Sequence, residues 1–180
     1  MDVTCISERD LTPCQAGEIL LLQHLAYPDT PHFAMRRWCH SPLEGDDLWF
    51  AFRRQGRLVG SLRLLHRRTK TVSGEMVLGG IGNVCSHPDA RGQGAARACM
   101  RAAAEYMRHG DKIDFGMLFC AKGVLEFYGK LGWRRISDEV LRAPETGQSE
   151  PVRGFAMICP ARRGLEDWPG GTVDLNGDDW

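Results

Sequence analysis

The chain has 180 residues, which suits a single domain over residues 1–180. Hydrophobic residues make up 43% and charged residues 26%, so the composition is that of a soluble globular protein and excludes a disordered, collagen-like or coiled-coil chain. The 23 Lys and Arg residues balance the 23 Asp and Glu residues, which argues against a general nucleic-acid-binding protein. Because the longest apolar run, at residues 19–22, is too short to span a membrane and the polar start has no signal-peptide pattern, we expect a cytoplasmic protein.

The seven cysteines are scattered along the chain, without a Cys-x-x-Cys pair. Zinc sites need paired ligands at close spacing, and the Cys39-His40 and Cys85-x-His87 pairs are too incomplete to form one. Small buried thiols in a reducing compartment explain the cysteines better. We therefore predict no metal site.

Local patterns predict elements in the order β-α-α-β-β-β-α-β-α-β-β. Thr12-Pro13-Cys14-Gln15 has the form of a capping box with proline at the first helical position, so a helix should begin there and end before Pro28. Arg54-Gln55-Gly56-Arg57 joins two strand-like runs as a hairpin. The predicted strands are residues 3–6, 48–53, 58–65, 75–86, 113–119, 133–136 and 155–159, and the further helices are residues 32–38, 95–107 and 123–130.

Charge is uneven along the chain. From Arg53 to Lys70 there are seven Lys and Arg residues and no acidic one, which fits either a phosphate-facing patch or a solvated hairpin face. Residues 164–180 have five acidic residues and no Lys or Arg, but they also include Trp168 and Trp180, so we expect this acidic C-terminal tail to dock on the domain. Residues 143–151 form a loop long enough to be a lid.

The most informative segment runs from residue 84 to residue 96, V-C-S-H-P-D-A-R-G-Q-G-A-A. A strand leads through a turn with Gly92 and Gly94 directly into a helix, whose free N–H groups and dipole form an anion site. The glycines let the backbone approach a phosphate without a Cβ atom in the way. The segment is neither a Walker loop, which needs Gly-Lys-Ser/Thr, nor a G-x-G-x-x-G motif.

This segment resembles the signature [QR]-x-x-G-x-[GA] of the GNAT superfamily of N-acetyltransferases, matched here by Arg91, Gly94 and Ala96. The later segment F-Y-G-K-L-G-W, which begins at Phe127, resembles the family's F-Y-x-x-x-G-[FW] element at the matching distance. The resemblance implies an α/β (α+β) GNAT fold, with a mixed, mostly antiparallel sheet whose fourth and fifth strands splay apart and which helices flank.

The resemblance also implies acetyl-CoA as co-substrate. Its diphosphate would lie on the N–H groups of residues 92–96, its pantetheine would run beside the strand at residues 84–86, and a backbone N–H near Val84 would polarise the thioester carbonyl. In many GNAT enzymes a tyrosine at the Tyr128 position donates a proton to the leaving thiolate; the alternative for Tyr128 is a core aromatic residue. The implied cofactor-binding residues are Val84, Cys85, Ser86, Arg91, Gly92, Gln93, Gly94, Ala95, Ala96, Phe119 and Cys120.

Within the family the chain looks most like the aminoglycoside 2′-N-acetyltransferases, through its Arg-Gly-Gln turn, its late tyrosine and its final Gly-Asp-Asp-Trp. At the position of Gly82 those enzymes have an acidic residue, and at the position of His32 they have a substrate-binding aspartate. Because this chain has neither acidic residue, the general base is unassigned. A pocket with altered acidic positions suits an aminoglycoside that has few amines. The kasugamycin-modifying enzymes are therefore the subgroup that we expect this chain to resemble. The expected substrate-binding residues are His32, Gly82, Asn83, Glu150, Asp178, Asp179 and Trp180.

Two other functions stay open at this point. One is a GNAT enzyme that acts on another amine, such as an amino-sugar oligosaccharide, a polyamine or a peptide, and the other is a non-catalytic sensor of CoA esters. The presence of Tyr128 weighs against the sensor. We expect a small-molecule aminoglycoside as partner, no nucleic acid or membrane, and a homodimer, because GNAT folds commonly dimerise.

Overall fold

The computed structural model of the chain describes residues 3–30, 47–110, 112–143 and 147–180. In these residues ten strands form one mixed sheet, on which three α-helices pack. The predicted helix at residues 32–38, with His32, lies outside the described residues. The strands are β1 (Val3–Ser7), β2 (Leu48–Arg54), β3 (Arg57–Thr71), β4 (Gly74–Ser86), β5 (Phe115–Cys120), β6 (Arg134–Arg135), β7 (Val140–Arg142), β8 (Glu150–Pro151), β9 (Phe155–Pro160) and β10 (Val173–Asp174), and the helices are α1 (Pro13–Ala26), α2 (Ala95–His109) and α3 (Leu125–Gly129).

The sheet is built around the long hairpin of β3 and β4. The strand order is β6-β9-β5-β4-β3-β10-β7-β8, and β2 pairs with β1 and with another stretch of β3. Pairing is antiparallel except between β4 and β5 and between β10 and β7. The predicted α+β architecture with a mostly antiparallel sheet is therefore confirmed. No helix of the described residues is long and apolar enough to cross a membrane.

Two local predictions are confirmed at the level of hydrogen bonds and dihedral angles. The Thr12 hydroxyl accepts from the Gln15 N–H at 3.2 Å, and the Gln15 side chain accepts from the Thr12 N–H at 2.9 Å, which is the capping box that starts α1. Gln55 and Gly56 both have positive φ, 49° and 78°, as a two-residue hairpin turn requires.

Three short strands were not predicted: β7, β8 and β10. They have two or three residues each, too few for an alternating pattern, and they form because distant segments pair with them. Several predicted bounds also shift. β3 continues six residues beyond the predicted end to Thr71, β6 is limited to Arg134–Arg135, and residues 122–124 form a 3₁₀ turn before α3.

The two faces of the sheet are covered by different parts of the chain. α2 buries one face, and its core positions recur at helical spacing because 3.6 residues complete a turn. The opposite face is covered by α1 at one end and by residues of the acidic C-terminal tail at the other. The buried residues of α2 are Ala95, Cys99, Met100, Ala103 and Met107, and those of the tail include Val173 and Leu175.

Two successive glycines of β4 allow this packing on both faces. A Cβ atom on Gly79 would lie 2.5 Å from the Met107 sulfur on the α2 side, and one on Gly80 would lie 2.5 Å from the Trp180 ring on the other side. Non-bonded atoms do not approach one another this closely, so a side chain at either position would displace its neighbour. Glycines inside this strand therefore mark close approach, as the sequence predicts.

We expect Gly80→Ala to lower the free energy of unfolding by about 1–3 kcal/mol, because the added methyl group must displace the Trp180 indole. The matched control is Gly17→Ala, at an exposed position inside α1 with open space around the Cβ site, where loss of backbone freedom in the unfolded chain should raise stability by about 0.5–1 kcal/mol. Urea unfolding measures both. If Gly80→Ala were as stable as wild type, Trp180 would not pack there.

Candidate active site

β4 and β5 separate in the middle of the sheet. Their pairing covers three residue pairs, from Leu78 with Phe115 to Gly80 with Met117, and among the described residues it goes no further, although β4 continues to Ser86. β5 stays paired with β9 as far as Cys120. The predicted splay of the fourth and fifth strands is confirmed, and it opens a gap between the two.

A β-bulge in β4 lies at this gap. Asn83 and Val84 stand together opposite Leu62, since Gly82 pairs with Arg63 and Cys85 pairs with Ser61. Asn83 has a φ of 54°, in the left-handed region that asparagine tolerates better than most residues. The extra residue bends the strand and changes which backbone groups are directed at the gap.

The backbone carbonyl of Val84 accepts a hydrogen bond from the Tyr27 hydroxyl. Burial raises the pKa of Tyr27 to about 12, so this hydroxyl stays protonated and remains a donor. At the same helix end, Arg91 Nη2 donates to the Ala26 carbonyl at 3.0 Å, where a cation also suits the helix dipole. The end of α1 thus holds both the bulge and the predicted phosphate turn.

No motif in the sequence marks Tyr27 as a functional residue. It follows the last residue of α1, and Val84 is 57 positions away in the chain. Its place before Pro28 indicates only a helix end, because no local pattern shows which strand a helix end will meet.

The turn before α2 forms an open anion cradle. Gly92 and Gly94 have φ values of 75° and 86°, and the space where their Cβ atoms would lie is empty to 4 Å. The Ala96 N–H donates to the Ser86 hydroxyl at 3.2 Å, whereas the other N–H groups of a first helical turn have no acceptor within the helix. The cradle borders a depression of about 580 Å³ lined by Ser86, Arg91, Gly92, Gln93, Gly94, Ala95, Ala96, Arg97 and Phe127.

Tyr128 lies between the end of α1 and β5 with 9% of its surface exposed. Burial raises its pKa above the ordinary tyrosine value, and the neighbouring Tyr27 and Cys120 raise it further. Its ring packs edge-on against Phe127 and Trp133, with centroids 5.0 and 6.5 Å away. The hydroxyl is therefore a rigidly held donor that stays protonated at neutral pH.

Trp180 lies on the opposite face of the sheet at the point where β4 leaves β5. Its ring covers Gly80, its main chain lies over Gly82, and its centroid is 5.2 Å from that of Phe119. The Arg67 guanidinium is 5.8 Å from the centre of the indole. The structure thus brings Gly82, and with it the adjacent Asn83, together with Trp180.

The three acidic residues expected to bind substrate meet at one guanidinium, that of Arg142. Its Nη1 lies 3.0 Å from Asp178 Oδ1 and 2.8 Å from Asp179 Oδ1, and its Nη2 donates to Glu150. We name this group the Arg142 cluster. Arg142 follows from no sequence motif, because its partners lie in β8 and in the tail.

A second ionic group is buried beside Gly82. Arg63, which pairs with Gly82 across the sheet, contacts Asp47 and lies 3.4 Å from Glu8. Burial raises the pKa of Asp47 to about 6, partly offset by Arg63.

The basic run from Arg53 to Lys70 does not form one surface. Arg63 takes part in the buried ionic group, whereas Arg53 pairs with Glu18. Arg54 is the member of the run that contacts the cradle, through the side chain of Gln93.

The described part of the chain contains no group of three His, Cys, Asp or Glu side chains able to hold a metal ion. The six described cysteines have free thiols, and Cys39 lies outside that part.

Comparison with known proteins covers most of the chain. Residues 8–136 match the family model described as an acetyltransferase (GNAT) domain, well over half of the chain. The chain belongs to the GNAT acetyltransferase family. No curated protein matches it.

Solved GNAT structures share the fold at low sequence identity. An acyl-CoA N-acyltransferase from Pseudomonas aeruginosa is 22% identical, with a TM-score of 0.60 over 88% of this chain and 98% of its own. A GNAT acetyltransferase from Brucella melitensis in complex with acetyl-CoA is 14% identical, with a TM-score of 0.60 over 96% and 94%. The ribosomal-protein-S18-alanine N-acetyltransferase from Escherichia coli is 14% identical, with a TM-score of 0.61 over 92% and 98%.

The GNAT family uses acetyl-CoA, and the residues of the cradle fit its diphosphate. Open glycines, first-turn N–H groups without an acceptor inside the helix and the positive end of a helix dipole all suit an anion. Val84 and Ser86 border the gap on the β4 side, and Phe119 and Cys120 border it on the β5 side.

We expect Gly94→Glu to weaken acetyl-CoA binding roughly 100- to 1000-fold, because a carboxylate would face the diphosphate in the cradle. Gly94→Ala introduces the same backbone strain without charge and should weaken binding less. Gly123→Glu places the charge at an exposed glycine away from the cradle and should leave affinity unchanged. Calorimetry with acetyl-CoA measures all three, and equal dissociation constants for Gly94→Glu and wild type would show that the cradle is not the cofactor site.

Proposed function

We propose that this GNAT protein is an acetyl-CoA-dependent N-acetyltransferase that acetylates an amino group of an aminoglycoside antibiotic, at the 2′-amino position, and so gives resistance. Kasugamycin is the candidate substrate within this class. One observation carries the proposal: the carboxylates of Glu150, Asp178 and Asp179 meet at Arg142, and Asp179 directly precedes Trp180, whose indole covers Gly80 where β4 and β5 separate. Carboxylates suit ammonium groups, and an aromatic face suits a sugar ring.

The reaction needs three contributions from the chain. The first turn of α2 would hold the diphosphate, and the edge of β4 beyond the bulge would orient the thioester arm. The Tyr128 hydroxyl donates a hydrogen bond to the sulfur as it leaves, which stabilises the negative charge that develops there. The uncharged amine attacks the thioester carbon, and the C–N bond forms as the C–S bond breaks. The proton that the amine loses passes to solvent water, and the departing CoA thiolate takes a proton from Tyr128, which solvent then restores.

A second candidate acceptor is a peptide N-terminus. It is favoured by the likeness in fold to the E. coli enzyme whose name gives the alanine of ribosomal protein S18 as its target. The Arg142 cluster supports the aminoglycoside, because a group of carboxylates suits the ammonium groups of an amino sugar.

An acceptor panel tests the proposal. Thiol release from acetyl-CoA is followed with kasugamycin, gentamicin, kanamycin, spermidine and an alanine-terminated peptide, and mass spectrometry with fragmentation locates the acetyl group. We expect the highest kcat/KM with an aminoglycoside and the label on the 2′-amino group. Preferential acetylation of the peptide or of spermidine would overturn the aminoglycoside assignment.

We expect Tyr128→Phe to lower kcat about 100-fold, the usual scale for loss of a proton donor, and to leave acetyl-CoA affinity unchanged. Because burial raises the Tyr128 pKa, wild type should show no loss of rate from this group between pH 6 and 9. The control is Tyr106→Phe, on the exposed side of α2. If wild type and Tyr128→Phe had equal kcat, Tyr128 would have only a packing role.

A further inference from the structure

A buried glutamine of α1 has a side chain that the rest of the described chain does not satisfy. Gln23 is 1% exposed, and neither its amide oxygen nor its amide nitrogen has a hydrogen-bond partner among the described residues. We propose that the Gln23 amide binds a hydroxyl group of the amino-sugar acceptor and so helps to determine specificity. The inference rests on the proposed function, because it names a further residue of the same site.

The buried stripe of α1 has two edges that face different parts of the sheet. On one edge, Glu18 lies one turn before Leu22 and forms an ion pair with Arg53, near the β2–β3 hairpin. On the other edge, Gln23 lies one turn before Tyr27, because residues four apart share a face of a helix. Gln23 therefore faces away from the hairpin. The buried residues of the stripe are Ile19, Leu22, Gln23 and Ala26.

The edge of α1 with Gln23 and Tyr27 leads to the gap. The Tyr27 hydroxyl donates to the Val84 carbonyl at the bulge. On the same face of the sheet, the tail covers Gly82 of the same strand with the main chain of Trp180. Gln23 thus borders the part of this face between α1 and the tail, which is the side from which we propose that the acceptor approaches.

Two other buried polar atoms on this face have no hydrogen-bond partner within the described ranges of the chain. They are Asp47 Oδ1 and Trp180 Nε1. Asp47 contacts Arg63, which pairs with Gly82 across the sheet, and Trp180 covers Gly82. This stretch of the face therefore has polar groups that could bind a polar ligand, and Gln23 is the uncharged member of the set.

An unpaired buried amide makes the free protein less stable. Removal of an amide from water costs free energy that only a new hydrogen bond compensates, and an apolar side chain of similar size avoids that cost. A local rule of folding is broken in this way most often at functional sites. The free protein thus gains nothing from the Gln23 amide, whereas a bound ligand would.

The chemistry of the amide indicates which group of the acceptor it binds. A glutamine amide both donates and accepts hydrogen bonds, and so does a hydroxyl group. An ammonium group only donates, so it would leave the amide N–H groups of Gln23 without an acceptor. Gln23 therefore suits a sugar hydroxyl, and an acceptor with few amines and several hydroxyl groups fits this site.

Gln23→Met tests the inference through two effects of opposite sign. Without ligand, the urea midpoint of unfolding should rise by about 0.5 M, because the unpaired amide is gone. With kasugamycin as acceptor, kcat/KM should fall about tenfold, because the bound hydroxyl loses its partner. Calorimetry should show an unchanged dissociation constant for acetyl-CoA.

The matched control is Leu22→Met, at the neighbouring buried position of α1. It introduces the same side chain and changes the packing of the helix, but it removes no polar group. We expect it not to raise stability, because exchange of leucine for methionine in a core is neutral or slightly unfavourable. It should also leave kcat/KM for kasugamycin unchanged.

A purely structural glutamine gives a different pattern. Unchanged kcat/KM in Gln23→Met would overturn the inference, and so would the lack of a gain in stability, which would show that the amide is satisfied inside the free protein. A parallel loss of acetyl-CoA affinity would place Gln23 on the cofactor side and would also overturn it. If Gln23→Met does not fold, Gln23→Leu gives the same test, and failure of both to fold would show that the fold needs the amide.

The same measurements separate this inference from the proposed function. Unchanged kcat/KM of Gln23→Met in an enzyme that acetylates kasugamycin overturns the role of Gln23 alone. If wild type acetylates no aminoglycoside, the proposed function is wrong, and the role of Gln23 in binding an amino sugar is wrong with it.

Discussion

The separation of β4 from β5 is the constraint on which the rest of the site depends. Two parallel strands that part in the middle of a sheet expose backbone N–H and C=O groups that need other partners. β9 pairs with the edge of β5 that faces away from the gap, and on β4 the Val84 carbonyl accepts a hydrogen bond from the Tyr27 hydroxyl. The backbone groups that remain along the gap suit a ligand with peptide-like amides. The bulge at Asn83 lies beyond the last pair of β4 with β5, at Gly80, and therefore inside the gap.

Charge is distributed between the two faces of the sheet in an unequal way. α2 covers one face with apolar side chains, whereas the opposite face has the buried pair of Arg63 and Asp47 and, near the tail, the Arg142 cluster. Buried ion pairs add little net stability, but removal of one partner is costly because the other charge is left uncompensated. Such pairs therefore hold segments of the chain in place relative to one another. On this face the Arg142 cluster holds the tail against β7, and the pair of Arg63 and Asp47 holds the chain before β2 against β3.

The sequence predicts those features that depend on neighbours in the chain. The capping box at Thr12, the hairpin at Gly56 and the turn at Gly94 each need only a few adjacent residues to be recognised. The proposed cofactor site is of this kind, so its residues could be proposed from the sequence. The contacts of Arg142 and Tyr27 are not. Arg142 meets its partners in β8 and the tail, and Tyr27 meets Val84, so that no local pattern could reveal either.

The thiols around the gap narrow the chemistry that the site can perform. Burial raises the pKa of Cys85 to about 11 and raises that of Cys120 above its ordinary value. A thiol attacks as the thiolate, and at neutral pH both groups are almost entirely protonated. Neither thiol is therefore suited to carry the acetyl group as a covalent intermediate in the proposed reaction. In that reaction the cofactor would be bound at the anion cradle on one side of the separated strands, and the acceptor would approach from the side of the Arg142 cluster.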